Sequence, residues 1–167
     1  MAITLARVDD RIIHGQTTTR WSKERSVDGI LVVDDKVFND DLRRRVLKAA
    51  AGNLKLGIYT EAQGPEKIKN GMDSAKDFFL ISGSPQTFAR LVEAGADFGR
   101  ELNIGCMNTR EGSLVVGRTL AIDENDYKAF EYLTSQGIKL SFQLLPDDDA
   151  KGWDEVKKKY DQMSEGK

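Results

Sequence analysis

Apolar residues along the chain fall into short continuous or alternating runs, separated by stretches with helical spacing, and the two patterns take turns. Positions 2–8 are mostly apolar, with Ile3, Leu5 and Arg7 alternating with Ala2, Thr4, Ala6 and Val8, which predicts a buried strand starting almost at the N-terminus. The stretch 16–25 holds neither glycine nor proline and puts Thr17 and Trp21 on one face, which predicts a helix. Next, 29–33 is a continuous apolar run of the kind a doubly covered parallel strand needs, ending in Asp34-Asp35. A second helix is expected with Asn39 as N-cap, Asp40 and Asp41 in its first turn, Leu42, Val46 and Ala49 on one face, and Gly52 at its stop.

The same alternation continues. Residues 54–59 predict a short strand. The stretch 60–71 is interrupted by Gly64-Pro65, with Pro65 suited to the first turn of a short helix. Residues 77–81 form the next buried strand, and Gly83-Ser84-Pro85 opens a helix in which serine caps, proline takes the first position, and Phe88, Leu91 and Val92 face inward until Gly95. Around a loop at 106–112, two short strands are expected near Leu102–Ile104 and Leu114–Val116. Asp123 and Asp126 then start a helix carrying Tyr127, Phe130 and Leu133 and ending at Gly137, followed by a strand at 138–142. A last helix, about 153–163, carries Trp153, Val156, Tyr160 and Met163, with frayed residues after it. Repeated strand-helix alternation implies an α/β fold: a single-domain, open, mostly parallel sheet with helices on both faces, spanning 1–167.

Composition narrows the function classes. Lys and Arg number 25 against 27 Asp and Glu, a net charge of −2, so no global electrostatic footprint for nucleic acid exists. No apolar run approaches the roughly twenty residues that cross a bilayer, and no signal-peptide pattern opens the chain, so a cytoplasmic location is expected. One Cys and one His cannot make an ordinary structural zinc site, and no phosphate-loop or dinucleotide glycine motif follows the first strand. Neither nucleotide nor metal cofactor is therefore implied.

The candidate chemistry lies in Arg7-Val8-Asp9-Asp10-Arg11-Ile12-Ile13-His14-Gly15-Gln16, on the connection from the first strand to the first helix. Ligands of open α/β sheets bind at strand carboxyl ends, and helix N-terminal amides await an anion. The sole histidine, His14, is a nucleophile or proton carrier there. The Arg11 guanidinium, a fork that pairs with phosphoryl oxygens, fits a transient phosphohistidine better than proton shuttling alone. Asp9 or Asp10 is placed to accept a bond from one ring nitrogen and fix the tautomer, or else both serve turn and cap chemistry. Gly15 lets the backbone approach the phosphoryl oxygens.

This segment, followed by Trp21, resembles the phosphorylation-site signature of the EIIB components of the mannose/fructose/sorbose family of the sugar phosphotransferase system. The resemblance implies that His14 takes a phosphoryl group from the phosphohistidine of an EIIA protein and passes it to a sugar entering through, and bound by, the membrane proteins EIIC and EIID. It also implies that Arg11 stabilises the phosphoryl group, that one antiparallel edge strand accompanies the parallel ones, and that the chain associates peripherally with the transporter. Within Arg43-Arg44-Arg45, Arg43 matches a basic residue of the surface that meets EIIA. Later in the chain the family's Gly-Gly-Met stands as Gly105-Cys106-Met107, with Arg110 and Gly112 following. A thiol replaces that glycine only where the backbone does not need positive φ, and an inert Cys106 is expected. Two other readings compete: a receiver-like phosphoaspartate switch, although Tyr59-Thr60-Glu61 stands where its acceptor would end the third strand, and a non-enzymatic interaction module.

Overall fold

The computed structural model describes residues 2–166. In chain order its elements are β1 (Ala2–Asp9), α1 (Gly15–Glu24), β2 (Gly29–Val33), α2 (Asp35–Phe38), α3 (Asp41–Ala51), β3 (Lys55–Tyr59), α4 (Gly64–Asp73), β4 (Asp77–Ser82), α5 (Pro85–Glu93), β5 (Glu101–Cys106), β6 (Leu114–Gly117), β7 (Leu120–Ile122), α6 (Glu124–Ser135), β8 (Lys139–Phe142) and α7 (Trp153–Glu165). Six strands form one sheet in the order β3-β2-β4-β1-β5-β8. Each neighbouring pair in it runs parallel. The expected antiparallel strand is therefore not at the edge of this sheet. Antiparallel pairing occurs in the separate two-stranded β6-β7 unit and in a single bridge between Phe142 and Lys151.

Two apolar clusters fill the two faces. One gathers Leu5, Ile30, Val32, Phe79 and Ile81 of the sheet against Trp21 of α1, Val37 of α2, and Leu47 and Ala51 of α3. The larger packs Val8, Leu31, Leu80, Leu102 and Ile104 against Ile68, Phe88, Leu91, Phe130, Leu133, Trp153 and Val156 from α4 to α7. After β1 the chain crosses to β2 under α1; after β4 it crosses back over β1 to β5 with α5 on the opposite face. The carboxyl end of β1 thus lies where the winding reverses, the place open α/β sheets use for ligands.

Local chemistry explains most element starts. Ser84 accepts the Thr87 N–H and Pro85 takes the first turn of α5. Asp123 and Asp126 cap α6 reciprocally. α4 has a proline in its first turn, as Pro65 suggested. α7 continues to Glu165, beyond the predicted 163, and the fraying expected at the tail bears otherwise on Lys167, which lies outside the described residues.

Two readings are corrected. Asn39 is not an N-cap; it closes the four-residue α2, and Asp40 caps α3 by accepting the Arg43 N–H. So short a helix buries one apolar side chain, Val37, and leaves no periodicity to read. The inner face of α3 is also different: Leu47 and Ala51 are buried, whereas Leu42 is 72% exposed and Val46 58% exposed. Entry from α2 turns the helix so that the Leu47 stripe meets the sheet and the other faces solvent. The strand expected near Leu114 is present as β6 and pairs with β7, a three-residue strand not predicted.

Leu47→Ala is expected to lower stability by about 2–4 kcal/mol, and Leu42→Ala to change it by less than about 0.5 kcal/mol. Urea unfolding midpoints at constant m-value check the pair, and equal losses would contradict the observed face.

Candidate active site

The site is built on a buried arginine. Period-2 alternation places Arg7 and Asp9 of β1 on the Leu5 side of the sheet, and both are almost fully buried, at 2% and 1% exposure. Arg7 Nη2 donates to Asp9 Oδ2 at 3.0 Å, and Nη1 donates to Asn103 Oδ1 of β5 and to the Gln143 carbonyl. The guanidinium also lies 5.7 Å from the centre of the Trp21 ring. Gly105 makes the slot: a Cβ built there would stand 2.0 Å from Arg7 Nη2. Burial pulls the Arg7 pKa below its ordinary value, and the Asp9 carboxylate pushes back.

Asp9 transmits this anchorage to the loop. Its Oδ1 accepts the Arg11 N–H at 3.0 Å and its carbonyl accepts the Ile12 N–H at 2.9 Å. Ile12 adopts φ +63°, the left-handed region that a β-branched residue rarely enters, with its side chain buried in the α1-side cluster. Asp10 is held from two sides. Its N–H donates to the Cys106 carbonyl and its Oδ2 accepts the Asn108 N–H, while its own carbonyl accepts Arg43 Nη2 at 2.8 Å.

His14 follows as the N-cap of α1, in extended conformation and half-buried. Its Nε2 lies 3.0 Å from Thr17 Oγ1, and its carbonyl accepts the Thr17 N–H at 3.1 Å. The ring therefore meets Thr17, not Asp9 or Asp10 as expected: Asp9 is committed to Arg7 and the Arg11 amide, and Asp10 gives Oδ2 to Asn108 while its buried Oδ1 has no hydrogen-bond partner among the described residues. Among the described residues the amides of Ile13, His14, Gly15 and Gln16 find no acceptor, so four consecutive donors stand open at the positive end of a helix dipole, where His14 is the N-cap. The Arg11 side chain is exposed and has no hydrogen-bond or ion-pair partner among the described residues. Unpaired amides and a guanidinium are the two kinds of donor that suit a tetrahedral anion.

Arg43 is half-buried and spends a guanidinium nitrogen on the loop, whereas Arg44 pairs with Asp41 and Arg45 is exposed. Sequence reading did not assign roles to Arg7, Asn103 and Thr17. The i, i+2 spacing of Arg7 and Asp9 in an apolar strand was the available signal for the first; Asn103 and Gln143 are remote in sequence and carried none. A receiver-like acceptor is not formed at the end of β3, where Glu61 accepts from Thr87 and Arg90, and Arg90 holds its carboxyl below the usual range.

Asp9, Asp10 and Cys106 bring one ligand atom each within 4.8 Å of one another. They do not suit a cation: the Asp9 carboxylate already faces a guanidinium, and the thiol stays protonated. Burial first, then the Asp10 and Asp9 charges, push the Cys106 thiol up to about 11, with Arg11 pulling the other way. Cys106 is not among the residues of positive φ, so its backbone accepts a side chain without strain. Since an ordinary thiol lies at 9.0, the native thiolate population at pH 8 is about 100-fold smaller. Iodoacetamide labelling of the native protein is expected to be slower than that of the urea-unfolded chain by about that factor; equal rates would contradict the assignment.

The family model described as PTS system sorbose subfamily IIB component matches residues 3–167. The sorbose-specific EIIB component of Lacticaseibacillus casei is 36% identical over 149 residues, covering 89% of this chain and 90% of that protein. The mannose-specific EIIAB component of Escherichia coli (strain K12) is 35% identical over 149 residues, which is 89% of this chain and 46% of that longer protein. Among solved structures, the IIBSor domain of the sorbose permease from Klebsiella pneumoniae superposes with a TM-score of 0.87 at 32% identity, covering 97% of this chain and 98% of that one.

Proposed function

Because the chain belongs to the sorbose-subfamily IIB components of the sugar phosphotransferase system, and so is a phosphocarrier in sugar uptake, we propose that His14 is the residue that carries the phosphoryl group. One observation supports this most: the sole imidazole of the chain is half-buried on the helix N-cap of a loop whose amides at 13–16 have no acceptor and whose Arg11 side chain has no partner among the described residues. With Nε2 engaged by Thr17, Nδ1 is the nitrogen left to attack. Its lone pair forms the new N–P bond as the N–P bond of the donor breaks, and the donor imidazole leaves with the electron pair. In the onward step a sugar hydroxyl oxygen bonds to phosphorus as the His14 N–P bond breaks, the imidazole keeps the electron pair, and the hydroxyl proton passes to water or a base of the membrane partner. Such transfers depend on positioning and charge stabilisation, which the amides and Arg11 supply.

In this reading Arg11 neutralises the transferring group, Asp10 keeps the loop seated against β5, and Arg43 seats it against α3. The donor is a phosphorylated EIIA, received on the surface around Arg43; EIIC and EIID bind the sugar in the membrane and hold this chain peripherally. The span 1–167 acts as one domain. No cofactor enters the reaction.

Incubation with the phosphorylated EIIA of its own system tests the assignment: radiolabelled phosphate is expected on the wild type and on no residue of His14→Gln, and label retained elsewhere would overturn it. Arg11→Ala is expected to slow transfer at least tenfold, about 1.4 kcal/mol of barrier, with an unchanged urea midpoint. An unaltered rate would remove that role.

A further inference from the structure

We propose that Thr17 is a positioning residue for phosphoryl transfer: its hydroxyl accepts the His14 Nε2–H, fixing the ring tautomer and its rotation so that Nδ1 presents its lone pair to the incoming group. The inference rests on the reading of His14 as acceptor.

The geometry at the start of α1 inverts the usual cap. An N-cap side chain ordinarily accepts the N–H of the third helical residue; His14 makes no such bond. Instead the third residue sends its side chain back to the cap side chain, Thr17 Oγ1 to His14 Nε2 at 3.0 Å. Thr17 is 5% exposed, and a β-branched residue in a helix has few side-chain rotamers, so the contact point is fixed by packing. A threonine hydroxyl can donate or accept, so distance alone does not place the proton.

The reaction decides which sense is productive. Attack through Nδ1 needs its lone pair free, which leaves the ring proton on Nε2, where Thr17 Oγ1 is the only side-chain acceptor in contact among the described residues. When the N–P bond forms, the ring becomes cationic and the same N–H becomes a stronger donor to the same oxygen. No proton need leave His14 in the step. Thr17 also borders a cavity of about 10 Å³ shared with Arg7, Asp9, Ile12 and Trp21, which places it close to the buried pair that holds the loop.

A single histidine makes the test direct, since its side-chain ¹⁵N signals stand alone. Wild-type protein at a pH where the ring is neutral is expected to show Nε2 protonated and Nδ1 unprotonated. In Thr17→Val, of nearly the same shape, the two shifts should move toward those of free histidine, and the rate of phosphorylation at saturating phospho-EIIA should fall about fivefold with KM unchanged. Thr17→Ser should restore both. A wild-type ring with its proton on Nδ1 overturns the proposal whether or not the variants fold. So does a Thr17→Val protein with unaltered shifts and rate, or a loss expressed only in KM. Label persisting in His14→Gln would instead overturn the acceptor reading on which the proposal stands.

Discussion

A charged arginine sealed inside a parallel sheet is the constraint on which the rest of this structure depends. Arg7 lies in β1, between β4 and β5, where apolar residues would pack more cheaply, and it is accommodated because Gly105 vacates the space its guanidinium fills. Asp9 supplies the opposing charge and Asn103 a further acceptor. Removing two ions from water offsets most of what their attraction returns, so the pair is a poor source of stability. Losing one partner is another matter: an uncompensated buried charge costs about 3–5 kcal/mol. The pair is better understood as a geometric device, because a carboxylate held this firmly dictates where its second oxygen points.

That second oxygen organises the loop. It takes the Arg11 amide, and the turn this creates drives Ile12 into a left-handed conformation that only good packing sustains. Asp10 is then stapled to β5 through Cys106 and Asn108 and to α3 through Arg43. With residues 10–12 consumed in internal hydrogen bonds, the following four amides are left without acceptors at the mouth of α1, and His14 stands at its cap. The division of labour is physical: the backbone amides of the first half of the loop are spent on internal acceptors, and those of the second half are left open. Donors fixed before the phosphoryl group arrives need no reorganisation as charge develops on it.

Much of this could be read from the chain. The alternation of patterns announced an α/β sheet, the Ser84-Pro85 start of α5 and the Thr17/Trp21 face of α1 were readable from local chemistry, and the signature around His14 pointed to phosphoryl transfer. What escaped has a common cause. α2 is too short to show a period, and in α3 the apolar spacing of Leu42 and Val46 did not reveal that the sheet covers Leu47 and Ala51 instead. The partners of Asp10 lie 98 residues away at Asn108 and 33 residues away at Arg43, distances over which a sequence pattern carries no geometry. Asp9 and Asp10 looked equally able to orient the ring; the fold gives them to Arg7 and Asn108 and hands the ring to Thr17, whose hydroxyl had been counted only as part of a buried face.

Amide hydrogen exchange across residues 10–16, followed by NMR before and after phosphorylation, tests the central claim most directly, since it reads the two halves of the loop separately. The account predicts slow exchange at Asp10, Arg11 and Ile12 in both states, and fast exchange at Ile13 to Gln16 that slows once the phosphoryl group is attached. Uniform exchange through all seven amides at the rate of an unfolded segment, unchanged by phosphorylation, would contradict it.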